Sequence, residues 1–92
     1  MSVIVRLPSQ LRVLVGGAGE VPVDATTVRE AITEVDVAYP GLAARVLDDD
    51  GALRRFVNVF VADEDIRFLN GLDTVVEPGQ TVSLVPAVAG GA

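Results

Sequence analysis

Ninety-two residues make one small domain, and with half of them hydrophobic the chain can build a single compact core. Seven Arg, no Lys, eight Asp and five Glu leave a net charge of −6, and the sequence shows no run of cations that could neutralise nucleic-acid phosphates, so no nucleic-acid partner is expected. Cys, His and Trp are all absent, which removes thiolate nucleophiles, imidazole bases and the usual zinc ligands. A chain so poor in catalytic side chains is not expected to be an enzyme by itself.

The first eight residues are apolar only until Arg6 and Pro8 interrupt them. That is too short for a signal peptide or a membrane span, so the expected location is cytoplasmic, with no membrane partner. Residues 2–7, rich in Val and Ile, predict a strand that stops at Pro8. A second apolar run, residues 11–15, continues toward the turn Gly16-Gly17-Ala18-Gly19, and residues 20–23 predict the return strand of a hairpin. The glycine turn is not a phosphate loop, because a strand follows it rather than a helix N-terminus.

Thr27-Val28-Arg29-Glu30 is a capping box, in which hydroxyl and carboxylate satisfy free N–H groups at a helix start. Val28, Ala31, Ile32 and Val35 then recur at helical spacing, and the helix is expected to end before Pro40-Gly41. Residues 42–47 predict a short further helical turn, and Asp48-Asp49-Asp50-Gly51 a solvated loop. A calcium loop fails here: with Gly51 at its sixth position, Val46 and Val57 would stand where carboxylates are required.

Residues 53–62 predict the strongest strand, with Val57, Val59 and Val61 on one face and Phe56, Asn58 and Phe60 on the other. If the valines face the helix, Phe56 and Phe60 lie on the open side of the sheet and are candidates for partner docking. Asp63-Glu64-Asp65 predicts a turn into a short strand at residues 66–68. Turns follow at Asn70-Gly71 and at Glu77-Pro78-Gly79-Gln80, and residues 81–88 predict the last strand, with Val82 and Leu84 inward and Pro86 marking an edge or an end.

One helix laid across a mixed sheet of four or five strands buries a single apolar stripe, and a right-handed crossover from the second strand through the helix to a parallel neighbour fits the order. This is an α+β, β-grasp (ubiquitin-like) arrangement, with residues 1–88 expected as the domain and 89–92 as a flexible tail. Two glycines near the C-terminus allow the backbone to pass through a channel too narrow for side chains.

The stretches Arg55-Phe56-Val57-Asn58-Val59-Phe60-Val61, Asp63-Glu64-Asp65-Ile66-Arg67-Phe68, Glu77-Pro78-Gly79-Gln80-Thr81-Val82 and Pro86-Ala87-Val88-Ala89-Gly90-Gly91 resemble the ThiS/MoaD family of bacterial sulfur carriers. Within it the chain looks most like the branch that supplies sulfide for cysteine biosynthesis in actinobacteria. Two departures stand out: Gln80 where the family usually has Asp, and Ala92 after the second glycine. The resemblance implies that an E1-like activating enzyme, using ATP and magnesium, adenylates the carboxylate of Gly91. A sulfur donor then displaces AMP to leave a thiocarboxylate, which a biosynthetic client consumes.

By the same resemblance Val88, Ala89, Gly90 and Gly91 are the segment received by partner active sites. Ala92 is the residue to be removed first, by a metallopeptidase. No cofactor and no metal is expected to be bound by the carrier itself. Two rival readings are a protein modifier joined through Gly91 and a structural β-grasp module. The missing lysines exclude lysine-linked chains of the protein with itself.

Overall fold

Period-two alternation of small β-branched residues builds the sheet. In β1 (Val3–Arg6) the side chains of Val3 and Val5 are fully buried, while Ile4 and Arg6 lie on the opposite face. The same pattern sets Val57, Val59 and Val61 of β3 (Val57–Val61) inward, and Val82 and Leu84 of β5 (Thr81–Pro86) with them. The computed structural model describes residues 2–55 and 57–86. With β2 (Glu20–Val23) and the two-residue β4 (Glu64–Asp65), these strands form one mixed five-stranded sheet in the order β2-β1-β5-β3-β4.

The main helix, α2 (Val28–Ala38), buries Val28, Ala31, Ile32 and Val35, the stripe expected from the sequence. Its start is capped as the motif requires, with one variation. Thr27 Oγ1 accepts the Glu30 N–H at 3.2 Å, but the Glu30 carboxylate reaches one residue further back, accepting from Thr26 N and Thr26 Oγ1, each at 2.8 Å. At the other end Asp36 Oδ1 accepts from Gly41 N and Ala43 N, tying α2 to the start of α3 (Leu42–Val46). Helix α3 buries Leu42 and Val46 and completes the core over the sheet.

Four expectations are corrected. Residues 11–15 are not part of a hairpin strand: α1 (Ser9–Arg12) and a 3₁₀ turn over Val13–Val15 occupy the connection, and β2 alone pairs antiparallel with β1. The exposure pattern explains it, since Val15 is buried and Val13 is 78% exposed, with no two-residue alternation between Leu11 and Val15. The strongest strand is shorter than predicted: Leu53 forms an isolated bridge with Leu47, and β3 begins only at Val57. Ile66–Phe68 is a 3₁₀ turn, not a strand, because Asp65 caps it by accepting the Arg67 N–H at 2.8 Å; the strand residues are Glu64 and Asp65. Finally, the crossover through α2 does not end on a neighbour of β2. The ladders make β2 and β3 parallel, but β1 and β5 lie between them, and the adjacent parallel pair is β1 with β5.

The acidic loop is the solvated turn expected: Asp48 Oδ1 accepts from Asp50 N and Ala52 N. Among the described residues no group of three acidic side chains is arranged to hold a metal ion, and no helix is long and apolar enough to cross a membrane.

Candidate functional site

The last strand is also the central one. β5 pairs parallel with β1 on one side and antiparallel with β3 on the other, from Val61↔Val82 to Val57↔Pro86. Its start is set by the turn Glu77–Gln80, where Gln80 N donates to Glu77 O at 3.0 Å and Gly79 has φ +87°, a backbone that favours glycine. Gln80, the departure from the family pattern, helps build this turn: its Oε1 accepts the Glu77 N–H at 2.8 Å. Pro86 stands at the strand's end, where its missing N–H interrupts no inner ladder.

The outer face of the sheet carries a row that crosses all five strands. Arg6 lies opposite Glu20 on β2 and Ser83 on β5, and Phe60 on β3 lies opposite Ser83 and Asp65. Arg6 Nη2 and Glu20 Oε2 form an ion pair at 3.0 Å at one end of the row. At the other end Asp65 lies 3.7 Å from the Arg67 guanidinium. Phe60, predicted on the open side, is there and partly buried by its neighbours. One ladder step toward Pro86, Val85 lies opposite Asn58 and is 39% exposed. Ile4, opposite Thr81, adds a partly buried aliphatic group on the same face.

Composition alone did not bring out Ile4 and Val85. The alternation of β1 and β5 is the signal that places them on the same sheet face as Phe60. The other docking candidate, Phe56, and the segment Val88, Ala89, Gly90 and Gly91 with Ala92, lie outside the described residues.

Where β5 ends, Pro8, Gln10, Leu11, Arg45, Val57, Leu84, Val85 and Pro86 line a half-open cavity of about 200 Å³. Among the described residues its walls are largely apolar and contain no acid or base suited to proton transfer. The carboxyl held below the usual glutamate range is Glu30, first because it accepts the Thr26 backbone N–H, then the Thr26 hydroxyl, against a small opposing desolvation. It is engaged in the α2 cap. The described residues thus form a scaffold with a partly exposed outer sheet face and a last described strand that ends at Pro86.

A mixed five-stranded sheet in this order with α2 packed across one face is the ubiquitin-like β-grasp fold. The chain belongs to the ThiS family, whose pattern it matches over residues 5–91. It is 41% identical to the sulfur carrier protein CysO of Mycobacterium tuberculosis, over 99% of this chain and 100% of that protein. A chain in the crystal structure of the Amycolatopsis orientalis BexX/CysO complex superposes with a TM-score of 0.90 at 42% identity, covering 96% of this chain and 98% of that one. Small archaeal modifier protein 3 of Haloferax volcanii is 35% identical over 74% of this chain and 73% of its own length.

Proposed function

We propose that this protein is a sulfur carrier whose Gly91 carboxylate is converted to a thiocarboxylate by an E1-like enzyme and then surrendered to a biosynthetic client. The single observation that carries the reading is the full-length similarity to sulfur carriers, CysO among them, in a chain lacking Cys and His. A carboxylate is a poor electrophile because its charge opposes attack. In the activating enzyme a Gly91 oxygen attacks the α-phosphorus of ATP and pyrophosphate leaves, giving an acyl adenylate. Hydrosulfide attacks the acyl carbon, the C–O bond to AMP breaks, and a thiocarboxylate remains. The carrier contributes the acyl group and the docking face and is a co-substrate rather than a catalyst.

Val88, Ala89, Gly90 and Gly91 form the segment that enters the partner's active site, and Phe60 and Phe56 belong to the docking face. In this sequence the Gly91 carbonyl is bound to Ala92, so a metallopeptidase must cut after Gly91 before activation. The reactions require ATP and magnesium only in the activating enzyme, and they belong in the cytoplasm. Cysteine synthesis is the leading client, with a sulfur-containing cofactor or secondary metabolite as the alternative.

Intact-mass spectrometry tests this reading. After incubation with the activating enzyme, ATP, magnesium and sulfide, a chain ending at Gly91 should exchange one oxygen for one sulfur. The chain ending at Ala92 should do so only after the peptidase is added. Conversion with Ala92 still attached overturns the processing step, and no conversion of either chain overturns the carrier reading. A second reading, a protein modifier, draws on the similarity to an archaeal modifier. It predicts isopeptide adducts on other proteins, and not on this lysine-free chain.

A further inference from the structure

We propose, building on the carrier reading, that an arginine-lined cleft beside the chain exit receives an acidic segment of the activating enzyme. On a protein of net charge −6, folding gathers Arg54, Arg55 and Arg67 around one cleft of about 370 Å³, lined among the described residues also by Leu53 and Val57 and by no acidic side chain. The sequence separates Arg67 from the other two by twelve and thirteen positions. The 3₁₀ turn after β4 returns it to the approach of β3.

Two of the three guanidiniums are partly engaged. Arg54 Nε donates to Ala44 O at 3.1 Å, and Arg67 Nε lies 3.7 Å from Asp65 Oδ1. Arg55 is exposed and forms no ion pair or side-chain hydrogen bond among the described residues. Each guanidinium carries five donors in a planar fork, so all three keep N–H groups for a carboxylate.

Position and chemistry select the occupant. Val57 lines both this cleft and the cavity at the end of β5, and it pairs with Pro86, so an enzyme that takes the chain end passes this surface. The rest of the protein is acidic and repels an acidic partner. Three arginines at one end therefore attract and orient it, an effect concentrated in association and register. A nucleotide phosphate fits less well, because glycine-loop or helix N-terminal amides, the usual phosphate cradle, are absent from the lining. The apolar side chains of Leu53 and Val57 suit the stems of a polypeptide segment instead.

Steady-state thiocarboxylation by the activating enzyme tests the proposal on chains all ending at Gly91: wild type, Arg55→Gln and Arg67→Gln, with Thr33→Glu as the charge-matched control on the exposed side of α2. Each arginine variant should raise the KM for carrier about tenfold at low salt, about 1.4 kcal/mol, with kcat unchanged. The difference should shrink at high salt, and the control should match wild type. Thermal unfolding checks the fold. If Arg67→Gln, which loses the contact to Asp65, does not fold, Arg55→Gln decides alone. An unchanged KM with wild type fully converted overturns the cleft proposal only, as does an equal rise in the control. Perturbation of the Arg55 and Arg67 side-chain resonances by ATP but not by a glutamate decapeptide also overturns it. Failure of wild type to gain sulfur overturns the carrier reading itself.

Discussion

On the inner face of the sheet Val3, Val5, Val59 and Val82 are completely covered, and α2 lays Val28, Ala31, Ile32 and Val35 against them with no exposed surface. On the outer face of the same strands Ile4 and Phe60 are only partly covered, Val85 is 39% exposed, and an Arg6–Glu20 pair stands in the open. Residues one position apart in sequence thus face different demands. Inner positions are aliphatic groups of similar size, where close packing penalises any change of volume. Outer positions mix an aromatic ring, an aliphatic group and charges, a composition suited to a surface that is covered only when a partner arrives. The core lies on one side of the layer, and the proposed docking face on the other.

Substitutions that move one property and not the other test that division. The largest effect is expected from Ile32→Ala, which deletes three buried carbons under the sheet and should cost about 3 kcal/mol. In a domain of this size the loss corresponds to about 15 °C in melting temperature by calorimetry, while the folded fraction should still dock normally. Phe60→Asp should do the reverse, weakening the complex with the activating enzyme by about 2 kcal/mol in titration calorimetry with the melting temperature nearly unchanged. A Phe60→Asp chain that fails to fold would place the ring in the core, and undiminished binding would remove it from the docking face.

A smaller gain lies at the end of β3 away from the chain exit. Ala62 and Asp63 turn the chain into β4 with φ of +51° and +72°, a conformation that costs non-glycine residues. Val61 and Glu64 pair across that two-residue loop, the setting in which Asn-Gly is preferred. Ala62→Asn with Asp63→Gly should stabilise by about 1 kcal/mol in denaturant titration and leave partner binding unaltered.

The smallest effect concerns Glu30. Its folded carboxyl titrates below the ordinary glutamate value because the ionised form accepts from Thr26. Its contribution is therefore present above the ordinary value and is lost as pH falls through the depressed one. The stability difference between wild type and Glu30→Gln should shrink across that acidic window. A difference independent of pH would show that the ionised carboxylate is not what supports the cap.

Much of this division was legible from residue spacing. The Val57-Asn58-Val59-Phe60-Val61 alternation marks both faces of β3, and the Thr27/Glu30 box with its apolar stripe marks α2, because both signals are local. Three kinds of information were not. Leu11–Val15 is apolar enough for a strand, and only tertiary packing reveals that Val15 alone is buried while Val13 faces solvent. Asp65 converts the next three residues to a 3₁₀ turn through one side-chain hydrogen bond, a choice that composition does not announce. The third is spatial order: nothing local states that β1 and β5 come between β2 and β3, or that Arg67 returns beside Arg54 and Arg55.

The central place of β5 has a mechanical consequence. A pull on the chain beyond Pro86, directed along the strand, enters the domain through a strand whose backbone hydrogen bonds to β1 and β3 lie across the line of force. These bonds are loaded together in shear. Were the last strand at an edge and drawn sideways, they would open one after another like a zipper. Tension applied to the chain end is thereby shared between two neighbouring strands, and the domain resists being unravelled from that end.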